Sequence, residues 1–302
     1  MVKAIALNWL AKTDLSNLNA GEGAGNITEL KLYGNGKKPY VSGQAIRRAL
    51  FDTLQRHYQE HFLCTAERPC QNVEHCWGCD LRGFLATEEG KSGKRRWSPI
   101  KVSPALGQIA NEIVSDLLTR HSDENDQRLA HVQMMENIYK VNLIIDVENV
   151  GRVVEPIIEK NKKKDKGTFK GYQTTLDLEP EKRLERVSAI LDAVYHLSGL
   201  AKQARAVSSL APEILFVTVK TTYNQRGLHY LDLDQNRKMH VERLTVGLNE
   251  HQLLGDQLCV GWTPGIVQNE TEVQQVLQAQ GIPMMSVLEA IKWAKSQLRD
   301  HL

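Results

Sequence analysis

Tyr139-Lys140-Val141-Asn142-Leu143-Ile144-Ile145-Asp146-Val147 is the stretch from which the fold is read. Tyr139, Val141, Leu143, Ile145 and Val147 alternate with Lys140, Asn142, Asp146 and Glu148, the two-residue period of a strand with one buried face. Upstream, residues 2–9 are mostly apolar, alternate loosely and suit a first strand. Ser42 can cap a helix in which Ile46, Ala49, Leu50 and Leu54 recur at helical spacing. Leu106, Ile109, Ile113 and Leu117 predict a further helix before the central strand. Downstream, Leu184, Val187, Leu191 and Val194 predict an amphipathic helix that ends near Gly199. Stretches 213–220, 228–233 and 258–262 read as strands. Val287, Leu288, Ile291, Ala294 and Leu298 form a closing helix after Pro283. The order strand, long helix, strand, helix, strand is that of an α+β, ferredoxin-like sheet with helices on one face. RNA-recognition modules share that architecture with many unrelated proteins, so the fold alone decides no function.

The chain has 302 residues, room for one elaborated domain or two smaller ones, and 41% hydrophobic with 25% charged residues is ordinary soluble composition. A net charge of only +2 means that any nucleic-acid surface must be local. Lys3, Asn8 and then Lys12 interrupt the apolar N-terminus, which reads as neither a signal peptide nor a membrane span. Five cysteines, an odd number without an export signal, point to reduced thiols in a cytoplasmic setting.

Ser42-Gly43-Gln44-Ala45-Ile46-Arg47-Arg48 opens the first helix. Gln44, Arg47 and Arg48 lie at i, i+3 and i+4 and share a face roughly opposite Ile46 and Leu50. A helix start offers unpaired N–H groups and partial positive charge, which favour phosphate, and two guanidiniums add forked donors. Two adjacent arginines alone are more simply a solvated cationic face. The loop upstream, rich in Gly, Asn and Lys, tips the reading toward phosphate because it has few bulky groups to block a backbone. Its alternate glycines, Gly21, Gly23 and Gly25, do not match the dinucleotide fingerprint.

Cys64, Cys70, Cys76 and Cys79 are spaced C-x5-C-x5-C-x2-C. Four thiolates can close a tetrahedral zinc site that orders a loop with little core of its own. His57, His61 or His75 can each replace one thiolate, and four unrelated buried thiols are the alternative. Cys259 stands alone in a strand and reads as core. In the stretch 91–99, Lys91, Lys94, Arg95, Arg96 and Trp97 combine cations with a stacking surface, as single-stranded nucleic acid requires; a solvated loop is equally simple. The lysine cluster 160–170 reads as a mobile charged insertion. No hydrolase, zincin or deaminase motif is present.

Read together, these segments resemble a known family. Asn19, Gly25, Lys31, Pro39 and the Ser42-Gly43-Gln44-x-x-Arg47-Arg48-Ala49 helix start resemble the N-terminal signature of the backbone subunit of type I CRISPR Cascade complexes, in its DevR-like branch. Cys76-x-x-Cys79-Asp80-Leu81-x-Gly83-Phe84 resembles a second stretch of that branch, and Arg96-Trp97-Ser98-Pro99 a third. The motifs cover about the first third of the chain; the remainder agrees in length and element order.

The resemblance implies a modified RNA-recognition fold in one elaborated domain, 1–302. A helical and zinc-knuckle-like insertion would span 60–135 and a mobile basic insertion 155–175. It implies a non-catalytic protein of antiviral defence whose copies stack into a filament along the CRISPR guide RNA, beside other Cascade subunits and away from membranes. A protruding segment of each copy kinks the guide, which pairs with target DNA, so bases and not protein read the sequence. Carried over by position, Asn19, Lys31, Ser42, Gln44, Arg47 and Arg48 would hold the guide backbone; Gln203 and Arg205 would reach it too. Lys94, Arg95 and Arg96 are the further RNA-binding candidates.

Many relatives carry serine where Gly43 stands, so a hydroxyl contact is lost or the backbone comes closer. Type III relatives cut RNA with a loop aspartate whose nearest counterpart here is Asn26, and an amide cannot replace that carboxylate. A metal-dependent RNA endonuclease using Glu22 is the rival reading; a monomeric, zinc-dependent RNA-binding module is the third.

Overall fold

Strand β1 (Ala4–Ser16) runs through the middle of the molecule, and its first eight residues are all buried. The computed structural model describes residues 2–19, 27–86, 94–121, 127–159, 167–200 and 206–301. Short strands β2 (Ile27–Thr28), β3 (Leu32–Tyr33) and β4 (Lys38–Val41) lead into helix α1 (Gly43–His57). A small separate hairpin, β5 (Phe84–Ala86) and β6 (Lys94–Arg96), precedes β7 (Ile100–Val102) and β8 (Ala105–Gly107). Strands β9 (Val114–His121) and β10 (Gln127–Asp146) form a long antiparallel ladder, and β11 (Arg152–Glu159) with β12 (Thr168–Asp177) a second separate hairpin. The rest is α2 (Pro180–Tyr195), β13 (Ile214–Lys220), α3 (Val241–Leu253), β14 (Gln257–Trp262), α4 (Glu270–Ala279), β15 (Met284–Met285) and α5 (Val287–His301). Among the described residues no helix is long and apolar enough to cross a membrane.

The main sheet runs β15-β14-β13-β1-β10-β8-β4-β3, with β2, β7 and β9 also on β10. β1 is antiparallel to both neighbours, pairing Ala4 with Asp146 of β10 and with Lys220 of β13. Hence β10 and β13 are parallel to each other, and the α2 crossover brackets β1. The register puts Leu7, Leu143 and Val217 on one face and Asn8, Asn142 and Phe216 on the other. The first face packs on α1, α2 and α5 through Ile46, Leu50, Val187, Ile190 and Ile291. Trp9 anchors it, fully buried, with its indole N–H donating to Leu210 O at 2.7 Å. Truncating such a ring costs about 3–5 kcal/mol.

The second face is also covered, which corrects the expectation of helices on one side. Leu10, Ile138, Ile214 and Phe216 meet Leu244 and Leu248 of α3, Val273 and Leu277 of α4, and Leu231, Leu233 and Met239. A sheet buried on both faces reads as continuous apolar strands, and all seven residues of β13 are buried.

Two further expectations are corrected. Leu106, Ile109, Ile113 and Leu117 lie on no helix: β8 and β9 occupy this region, and Ile113 and Leu117 are exposed. Gly107 packs so tightly on β4 that a Cβ there would lie 2.7 Å from Pro39 O, and pairing with β10 overrides the helical spacing. Residues 228–233 form turns, with one bridge from Leu233 to Met239, because their leucines cap the second face instead of joining a ladder. The described parts of 155–175 form the β11–β12 hairpin; of the lysine cluster, 160–166 lie outside the described residues.

Lys220 ends β13 fully buried, and its ammonium donates to Asn224 Oδ1 at 2.7 Å and Arg226 O at 3.0 Å. Burial pulls its pKa from 10.5 down to about 8, against a weaker upward pull from Asp256. Between those values the unfolded chain holds more protons, so this residue's contribution to stability rises with pH across the window. Denaturant unfolding from pH 7.5 to 10.5 should show the native protein gaining up to about 3 kcal/mol relative to Lys220→Met. Parallel pH curves for the two proteins would refute it.

Candidate nucleic-acid interface and cysteine knot

The start of α1 is built by its own sequence. Ser42 Oγ accepts from the Ala45 N–H at 3.3 Å, the expected cap, and donates to Asn19 Oδ1 at 3.3 Å. Asn19 Nδ2 is buried and has no partner among the described residues. Gln44 and Arg48 are exposed; the Arg48 side chain is 83% exposed and only 3.6 Å from Asp52 at i+4, a pair worth a few tenths of a kcal/mol, about 0.3–0.5. Lys31 is half-buried in the strand-poor stretch beside Tyr40, whose N–H bonds Lys31 O at 2.9 Å. At Gly43 a Cβ would lie 3.2 Å from Val102 O, so the glycine lets the helix start press against the 102–104 backbone.

Arg47 departs from the expected face. Its guanidinium turns inward, donating to Ser98 Oγ and Ile100 O at 3.1 Å and to Arg82 O, over the Phe51 ring. Burial and the neighbouring Arg82 hold its pKa below the usual arginine value. Helical spacing put Arg47 beside Gln44 and Arg48, but the acceptors of the 82–100 segment capture it.

The second candidate cluster divides the same way. Lys94 and Arg95 are exposed, and the Arg95 guanidinium lies 5.1 Å over the ring of Trp97, itself 73% exposed. They border a groove of about 970 Å³ between the cysteine loop and the root of the β11–β12 hairpin. Arg96 also lines the groove, but its guanidinium is engaged by the protein itself. It donates to the Asp80 carboxylate, to Asp80 O at 3.0 Å and to Arg152 O at 2.9 Å. Gln203 and Arg205, with Gly25, Glu22, Asn26 and Lys91, lie outside the described residues.

The four cysteines converge. Cys64 Sγ lies 3.5 Å from both Cys76 and Cys79, Cys70 Sγ lies 3.6 Å from Cys79, and all four sulfurs fall within 4.8 Å of one another. A tetrahedron of thiolates around zinc has edges of about 3.8 Å, so the donor set fits one ion. The histidines are engaged elsewhere: His61 stacks flat on Trp77 at 4.0 Å, His57 faces His196, and His75 stands exposed beside Glu74. Cys259 is a buried core thiol on β14.

Beneath the knot lies a group that sequence reading missed. Asp80, next to Cys79 and fully buried, accepts from Arg96, from Arg186 Nη1 of α2 at 2.5 Å and from the Gly151 N–H at 3.0 Å. Arg186 also donates to Val73 O at 2.9 Å and Glu74 O at 2.5 Å, inside the cysteine loop. Gly151 holds φ 68°, and a Cβ there would lie 2.7 Å from Leu178. The available signal was Arg186 standing beside Val187 in a buried helical face.

Residues 11–226 match the family described as CRISPR-associated negative auto-regulator DevR/Csa2. No curated protein matches the chain. Among solved structures, a chain of a "CRISPR RNA-guided surveillance complex" superposes with TM-score 0.57 at 12% identity, over 97% of this chain and 99% of that one. A chain of a "CRISPR RNA-guided surveillance complex, pre-nicking" superposes with TM-score 0.61 at 10% identity, over 98% and 100%. At these identities the likeness is one of fold.

Removing the Asp80 carboxylate would leave two guanidiniums buried without a counter-ion. Asp80→Ala should lose about 3–5 kcal/mol in denaturant unfolding. A loss below about 1 kcal/mol would show that the cluster does not carry the knot.

Proposed function

The chain belongs to the CRISPR-associated DevR/Csa2 family, and on that premise we propose that it is a non-catalytic guide-RNA-binding subunit. Copies assemble along the CRISPR guide RNA as the backbone of a type I Cascade complex, in the cytoplasm, and present the guide for pairing with target DNA. The fold is read as a modified RNA-recognition, ferredoxin-like domain. Its support is the antiparallel order β13-β1-β10-β8, in which the chain passes from β1 by way of α1 to β8 and from β10 by way of α2 to β13, each time to a strand two places away.

One observation carries the reading: a capped helix start where the exposed side chains of Gln44 and Arg48 offer donors to the solvent. Donors of this kind suit phosphate and sugar oxygens, which are the same at every nucleotide. Lys31, Lys94 and Arg95 extend the cationic surface, and Trp97 adds a ring on which a base can stack. Arg47 and Arg96 serve by shaping the surface from within. Zinc held by Cys64, Cys70, Cys76 and Cys79 is structural in this reading; closing such a site contributes on the order of 10 kcal/mol to ordering its loop.

The Gln44→Ala, Arg48→Ala double variant should bind guide-length RNA more weakly, with a salt slope lower by about 0.7 for the one cation removed. Arg47→Ala should lower stability and leave that slope unchanged. Wild-type affinity and slope in the double variant would overturn the assignment. Freshly purified protein should contain close to one zinc per chain by elemental analysis. Incubated with complementary RNA and Mg²⁺, the guide-loaded protein should leave that RNA intact, whereas cleavage lost in Glu22→Ala would replace the scaffold with a nuclease.

A further inference from the structure

Residues 108–112 follow β8 without a ladder of their own, and side-chain amides hold them instead. Asn137 Oδ1 accepts from the Ile109 N–H at 3.1 Å while its Nδ2 donates to Ile109 O at 2.7 Å. Gln235 repeats the device on Ala110, accepting at 3.0 Å and donating at 2.8 Å. Asn111 donates to Glu136 O at 3.1 Å. These clamps build one wall of a groove of about 570 Å³. The same groove is lined by a tight loop closed by Asp234, whose Oδ1 accepts from the N–H groups of Asn236 and Lys238 at 2.8 Å. At its corner Arg237 holds φ 60°, a left-handed conformation that residues other than glycine rarely adopt. Strain of this kind concentrates where a side chain has work to do.

Lys12, Arg237 and Lys238 line the groove, and none of them makes an ion pair among the described residues. Glu136 is the one carboxylate in the lining, and no aromatic ring lines it. Bases therefore find nothing to stack on. Three free cations suit phosphates, and the amides of Asn236 and Gln268 suit sugar oxygens and hydroxyls. This chemistry differs from the Trp97 groove, where a ring is the main feature.

We infer that this groove is a second nucleic-acid contact that grips the sugar–phosphate backbone of a single strand. It shares no residue with the α1 start, though its ligand class rests on the nucleic-acid reading above. The strand is either the guide itself or the strand paired with it, and two titrations separate these sources. The first adds guide-length RNA to the full chain. The second adds complementary single-stranded DNA to protein already saturated with guide. Both compare wild type with a Lys12→Ala, Arg237→Gly, Lys238→Ala variant across salt concentrations; glycine suits the left-handed corner, so the loop keeps its shape. In one titration the variant should bind roughly tenfold more weakly at low salt, with a slope lower by about 2. Loss in the first identifies the guide as occupant, and loss in the second alone identifies its partner strand. Unchanged affinity and slope in both would overturn the inference. So would unchanged titrations with weakened copy–copy association by light scattering, which would assign the groove to protein. Running the Gln44→Ala, Arg48→Ala variant alongside keeps the two readings distinct: it tests the helix start and leaves the groove untouched.

Discussion

A single carboxylate held between two guanidiniums organises the part of this molecule that does not fold by strand pairing. Asp80 joins the cysteine loop, the start of the Arg96–Pro99 stretch, the Gly151 turn and helix α2. Buried ion pairs add little net stability compared with well-packed apolar groups, because desolvation offsets much of the attraction. Their geometry is nonetheless demanding. Each donor must be satisfied, and here the remaining N–H groups reach carbonyls of Val73, Glu74, Asn149 and Arg152. The cluster thus selects one arrangement of segments whose apolar residues Trp77, Leu81, Val150 and Val187 enter the common core. The thiol knot above it then closes on a loop already tied at its base.

The same residue type does opposite jobs a few positions apart. Arg47 and Arg96 face inward, and their immediate neighbours Arg48 and Arg95 face solvent. The inward members fix backbone carbonyls and shape the surface, and the outward members give it charge. This division reconciles a net charge of only +2 with locally cationic surfaces. A polyanion meets fields from nearby exposed cations, screened beyond about 8–10 Å, so the total charge matters little to it.

Covering both faces of the sheet has a consequence for where a polynucleotide can lie. α3, α4 and the 228–239 segment occupy the face opposite α1, α2 and α5. In the proposed reading, contacts with a nucleic-acid strand are left to helix starts, loops, hairpins and the exposed end of β1 around the sheet. Those are the places where the described residues expose Gln44, Arg48, Lys94, Arg95, Trp97, Lys12 and Lys238.

The sequence by itself determined the elements whose pattern is local. The alternation through Tyr139–Val147, the Ser42 cap, the apolar stripes of α1, α2 and α5, and the C-x2-C knuckle were all legible, because each rests on the period of one element or on one residue's chemistry. Only the tertiary structure decided the rest. Leu106 to Leu117 carry helical spacing yet form no helix: Leu106 and Leu117 pair with β10, which satisfies their backbone better than an isolated helix could. The convergence of the four sulfurs, and which of the histidines stay out, depends on distances the spacing does not contain. Above all, which of Arg47 and Arg48 faces the solvent depended on which carbonyls a distant segment brought near, and hydrogen-bond acceptors contributed by another part of the chain leave no trace in the helix's own residues.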